Sequence, residues 1–142
     1  MPARYEELLA LIGSHLAAPV TREQAPDGSL YFVGGDPQDV IVRVSSATVI
    51  VSEYAVRWEG PTTAVVRPIR VGSVAWRRIP ETSAMRIVSA LIDAARQSRL
   101  DTFRPCASCE TPTPPEWMHD GELCRSCAAR ERSSPAGGFQ SS

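Results

Sequence analysis

Asp39-Val40-Ile41-Val42-Arg43-Val44-Ser45-Ser46-Ala47-Thr48-Val49-Ile50-Val51, residues 39–51, is the stretch that decides the fold class. Val40, Val42 and Val44 alternate with Ile41 and Arg43, so 39–44 predicts a strand with one apolar face. Ser45-Ser46 interrupts the run, and the β-branched residues of 48–51 predict a second strand. A link this short forces the two strands antiparallel, because a parallel crossover takes about a dozen residues or more.

The same period extends outward in both directions. Upstream, residues 30–33 predict a short strand ending at Gly34-Gly35-Asp36-Pro37, a strong turn signal. The polar residues 21–29 before it read as turn-rich connection. Downstream, Tyr54, Val56 and Trp58 alternate until Gly60-Pro61 breaks the run. Residues 62–71 predict the longest strand, with Pro68 implying an edge position or a bulge. Gly72 is expected to turn the chain into a last strand at 74–79, which Pro80 ends.

Two amphipathic helices flank these strands. In 3–18, Tyr5, Leu8, Leu9, Ile12 and Leu16 recur at helical spacing, and Pro19 stops the pattern. In 83–100, Met85, Val88, Leu91, Ile92 and Ala95 form the apolar stripe, with Arg86, Asp93, Arg96 and Arg99 expected to face solvent. Residues 1–103 therefore predict an α+β domain of the order α–β(4–6)–α. It is an antiparallel β-meander flanked by an N-terminal and a C-terminal helix, both on one face of the sheet.

Composition narrows the function classes. The chain has 142 residues, 15 basic and 16 acidic, for a formal charge of -1, which excludes a polycation binding by bulk charge. No apolar run approaches the roughly 20 residues of a membrane span. The acidic N-terminus is unlike a signal peptide, so a cytoplasmic location is expected. Every basic residue is Arg and none is Lys, which excludes lysine Schiff-base chemistry.

All four cysteines fall in 104–132, as Cys106-x2-Cys109 and Cys124-x2-Cys127 with fourteen residues between the pairs. Two thiolates three residues apart reach one ion when the backbone between them makes a tight knuckle. Two knuckles supply the four tetrahedral ligands that Zn2+ favours, although iron also accepts four thiolates. A segment this small has no core of its own, so metal binding supplies its folding energy. Four thiolates also close the shell, making the expected zinc structural, and His119 between the pairs is expected to stay outside it.

Residues 104–132 resemble the zinc-ribbon and treble-clef fingers with four cysteine ligands. Cys124-Arg125-Ser126-Cys127-Ala128-Ala129-Arg130-Glu131 is similar to the second half of a treble clef, whose last ligands open a short helix. The first knuckle, Cys106-Ala107-Ser108-Cys109-Glu110, departs from the usual pattern by lacking a glycine after its second cysteine. Ribbon and clef both stay open. The resemblance implies zinc and little about activity, since such fingers serve many functions. The last ten residues, 133–142, are mostly small, polar and uncharged, and predict a disordered tail.

Two candidate contact surfaces remain. Trp117 and Met118 lie between the cysteine pairs, where a small module has little interior to hide them, and are expected to meet a partner protein. Arg57, Arg67, Arg70, Arg77 and Arg78, interleaved with Trp58 and Trp76, offer an alternative surface for nucleic acid. The plain alternative pairs these arginines with Glu53, Glu59 and Glu81 while the tryptophans fill the core. Elbow, zincin, phosphate-loop and dinucleotide motifs are all missing, and no cysteine is left over as a nucleophile. The sequence thus predicts a non-catalytic zinc protein without a small-molecule substrate. It would act as an adaptor or accessory subunit in a bacterial system, or alternatively as a nucleic-acid-associated factor.

Overall fold

The computed structural model describes residues 2–133. They divide into two compact units, 2–101 and 102–133. The expected tail lies outside the described residues, apart from Ser133 at the end of the last helix.

The first unit opens with α1 (Pro2–His15) and continues through β1 (Val20–Gln24), β2 (Leu30–Gly35), β3 (Gln38–Val44) and β4 (Val49–Glu53). Then follow β5 (Val56–Trp58), β6 (Ala64–Val66), β7 (Ile69–Val74) and α2 (Glu81–Leu100). Five strands form one antiparallel sheet in the order β1-β2-β3-β4-β7. The sheet and its flanking helices are the α+β meander read from the alternation at 39–51.

Register places Leu30, Phe32, Val42, Val44, Val49, Val51 and Val74 on one face, where Val42 sits between Phe32 and Val51. These side chains join Leu8, Leu9, Ile12 and Leu16 of α1 and Val88, Ile92 and Ala95 of α2 in a single core. Trp76 completes it. The ring is buried, its Nε1 donates to the Ser45 carbonyl at 3.1 Å, and Tyr5 packs against it at 5.8 Å. Arg4 and Arg77 lie over the same ring, and Arg4 also donates to the carbonyls of Trp76 and Ile79.

Four expectations need correction, the last of them the long strand at 62–71. First, 20–24 is a strand, β1, paired with β2 along its whole length. It is an edge strand with Thr21, Arg22, Glu23 and Gln24 all exposed, so it shows no apolar alternation. Second, Gly72 makes no turn. It lies inside β7 opposite Val51, and β7 runs through it to Val74. The glycine is there for clearance beneath α2, because a Cβ at this position would meet Leu91. Residues 75–80 are accordingly a connection and not a strand. Third, Arg99 does not face solvent but is 2% exposed on the buried stripe Val88-Ile92-Ala95-Arg99.

The expected long strand at 62–71 is divided at Pro68. The pairing Glu53↔Ile69 resumes in the same register as Val56↔Val66 and Trp58↔Ala64. Between these rungs Pro68 stands opposite Tyr54 and has no N–H to donate. Tyr54 N–H faces β3 and donates to the Asp39 carbonyl at 3.0 Å, while Arg67 N–H donates to the Ala55 carbonyl at 2.8 Å on the other side of the break. Beyond this break β5 and β6 pair only with each other, as a two-stranded arm closed by Glu59 N–H to the Thr63 carbonyl at 2.8 Å.

Among the described residues no helix is long and apolar enough to cross a membrane.

Candidate metal centre

The second unit is built from very short elements. β8 (Arg104–Pro105) pairs with β9 (Pro112–Thr113), and β10 (Met118–His119) pairs with β11 (Leu123–Cys124), which leads into α3 (Arg125–Ser133). The loop from β8 to β9 carries Cys106 and Cys109. Cys124 ends β11, and Cys127 falls in the first turn of α3.

These elements bring the four sulfurs within 4.8 Å of one another. A tetrahedral ion with metal–sulfur bonds of about 2.3 Å sets its sulfurs about 3.8 Å apart. The Cys109 and Cys124 sulfurs lie 3.8 Å apart. The donor set fits a thiophilic ion. Cys106 and Cys127 are buried, Cys124 is half-buried and Cys109 is exposed.

Donors around the sulfurs favour thiolates. Backbone N–H groups of Ser108 and Cys124 point at Cys106 Sγ at 3.4 and 3.3 Å, and Arg130 Nη2 donates to Cys127 Sγ at 3.0 Å. Backbone N–H groups from Cys109 and Cys124 pull the Cys106 thiol down to about 6. Thr111 lowers the Cys109 thiol, whereas burial pushes Cys127 up to about 11. A cation among them offsets that burial.

The first knuckle turns through Glu110, whose N–H returns to the Cys106 carbonyl at 2.9 Å. Glu110 has φ 64, the left-handed conformation in which glycine carries no steric penalty. The glycine missing from the usual finger pattern is therefore missing where the backbone calls for one.

His119 is not among the clustered ligands; its Nε2 lies 3.6 Å from Asp120 Oδ2. Trp117 and Met118 are half-buried, and Arg125 stacks over the Trp117 ring at 4.9 Å. The five arginines have divergent settings. Arg67 pairs with Glu59 at 2.6 Å, Arg70 bonds Ser73 at 2.8 Å, and Arg77 covers buried Trp76, while Arg57 and Arg78 are exposed. Trp76 is thus withdrawn from the aromatic surface that the sequence suggested, and Trp58 alone of that pair is exposed.

Comparison with family models, curated proteins and solved structures gives no match.

Sequence reasoning missed a buried polar cluster at one end of the sheet. Arg99 Nε donates to the Gln38 carbonyl at 3.0 Å, and its guanidinium stacks on Tyr54 at 5.2 Å. Ser98 Oγ donates to buried Glu53 at 2.6 Å. Asp39 is buried with its Oδ2 3.6 Å from Arg96 Nε, and Arg96 Nη2 also donates to the His15 carbonyl at 2.8 Å. Asp93 meets His15 Nε2 at 2.8 Å, which ties the end of α1 to α2. The signal for Arg99 and Glu53 was positional, since each continues the period of an apolar run.

Proposed function

We propose that the chain is a non-catalytic protein-binding adaptor or accessory subunit whose C-terminal unit is folded around one structural zinc ion. The observation that carries the metal assignment is the convergence of Cys106, Cys109, Cys124 and Cys127 on one point. Four thiolates complete a tetrahedral shell and leave no position for water or substrate, so the metal's contribution is cross-linking. The order of knuckle, hairpin and helix, with Cys127 in the helix's first turn, favours the treble clef over the ribbon. Thiolates kept for a metal suit a reducing compartment, which supports a cytoplasmic setting.

Exposed Trp58, Val66 and Ile69 support the protein-binding reading, since large apolar side chains left in solvent mark contact surfaces. A nucleic-acid surface has less support, because Trp76 is buried and Arg67 and Arg70 are engaged within the chain.

Metal analysis of protein purified without added metal tests the assignment. One zinc per chain is expected, with cobalt(II) substitution producing thiolate charge-transfer bands and tetrahedral visible bands. Chelation should abolish α3 while the first unit stays folded. A metal-free preparation with the second unit folded, or an iron–thiolate spectrum, overturns it.

A further inference from the structure

The arm formed by β5 and β6 has no account in the metal centre or the core. We propose that it is the docking element of the chain. Its partner is an acidic protein cleft that receives Trp58 on an apolar wall and Arg57 on a carboxylate-bearing wall. This rests on the protein-binding reading and names its surface.

Register sets the two faces of the arm. Val56, Trp58, Ala64 and Val66 are paired and share one face, and Arg57 and Val65 share the other. Trp58 is 53% exposed and Val66 43% on that shared face. A ribbon of three residue pairs with no buried side chain is marginal in water by itself. Binding in a cleft buries its apolar face and satisfies its open edges.

Charge selects the partner. Residues 54–70, the arm and the start of β7 beside it, hold three arginines and a single acid, Glu59, which pairs with Arg67. The Arg57 side chain on the arm is exposed, with no side-chain partner among the described residues. Trp and Arg are the residue types that dominate energetic centres of protein interfaces. A phosphate backbone would need several free cations in a row and would meet Glu59 at the tip, so the observations favour acidic protein over nucleic acid.

Photo-reactive benzoylphenylalanine placed at position 58, or separately at 117, in the full zinc-loaded chain tests this in cells of its source organism. Crosslinked species are identified, purified and titrated against the wild type, Trp58→Ala and Arg57→Glu at low and high salt. The expected result is a protein crosslinked from position 58 through an acidic segment. Its affinity should fall roughly thirty-fold with Trp58→Ala, and with Arg57→Glu more at low salt than at high. Unchanged zinc content and unfolding of both variants shows that the fold is intact. Nucleic acid, lipid or a second copy captured at 58, or unchanged affinity in both variants, overturns the proposal. Protein crosslinks from 117 alone overturn the arm but keep the protein-binding reading, and silence at both positions overturns both.

Discussion

Gly72 of β7 lies beneath Leu91 of α2 so closely that a Cβ on the glycine would come 2.7 Å from Leu91 Cδ2. The helix rests on the strand backbone at this point. Gly72→Ala is expected to lower stability by about 1 kcal/mol, because the tip of Leu91 can partly yield, and Gly72→Val by about 2–3 kcal/mol. Urea unfolding checks both. Adding Leu91→Ala to Gly72→Ala should cost less than the two separate losses together, since one change relieves the other's clash.

Arg99 provides the second prediction. Removing its guanidinium takes a donor from the Gln38 carbonyl and leaves buried Asp39 with less compensating charge. Arg99→Ala is expected to cost about 3 kcal/mol, whereas Arg86→Ala on the exposed side of the same helix should stay within about 0.5 kcal/mol. Equal effects from the two variants would show that the buried cluster contributes nothing.

Much of this was legible in the sequence, and the exceptions have physical causes. Alternating valines located β3 and β4, whose core face they fill, although Asp39, Ile41 and Ser52 on the opposite face are buried as well. The same rule passed over β1, an edge strand whose described side chains past Val20 all meet solvent. Helical spacing put Arg99 on the buried stripe, but its charge argued the other way. Position outweighed residue type because the Gln38 carbonyl and the Tyr54 ring wait for it inside. The cysteine spacing located the four clustered thiols directly, as both knuckles are local. Which tryptophan is buried depends on tertiary packing, so Trp58 and Trp76 could not be separated by pattern.

A pH dependence follows from Asp39. Burial raises its carboxyl above the ordinary 3.8, against the opposing pull of Arg96 and Arg99. The folded chain thus holds this proton more tightly than the unfolded chain. The contribution of this residue to stability is fully present below pH 3.8 and is lost as pH rises through the folded value. Asp39→Asn stays neutral throughout, so its stability relative to the wild type should climb between pH 3.8 and neutrality. Paired urea unfolding curves across that range measure the difference, in which the other carboxylates cancel. A flat or falling difference contradicts the assignment.

Glu110 yields the fourth prediction. A non-glycine residue held at φ 64 carries strain of about 1 kcal/mol, part of which glycine's extra chain entropy would offset. Glu110→Gly is therefore expected to strengthen zinc retention by about 0.5 kcal/mol, or roughly twofold, in competition with a chromogenic chelator. Glu110→Val, β-branched and intolerant of this conformation, should weaken it.

The two margins of the sheet are defended differently. On one side β1 offers a solvated row of Thr21, Arg22, Glu23 and Gln24, whose charges discourage another strand from adding on. On the other, β7 carries a register shift opposite Val51 and Ser52, and Pro68 removes a donor just before the strand begins. Neither edge is a long, flat, apolar template. A valine-rich meander with bare, flat edges is a template for fibrous stacking, and margins built in this way disfavour it.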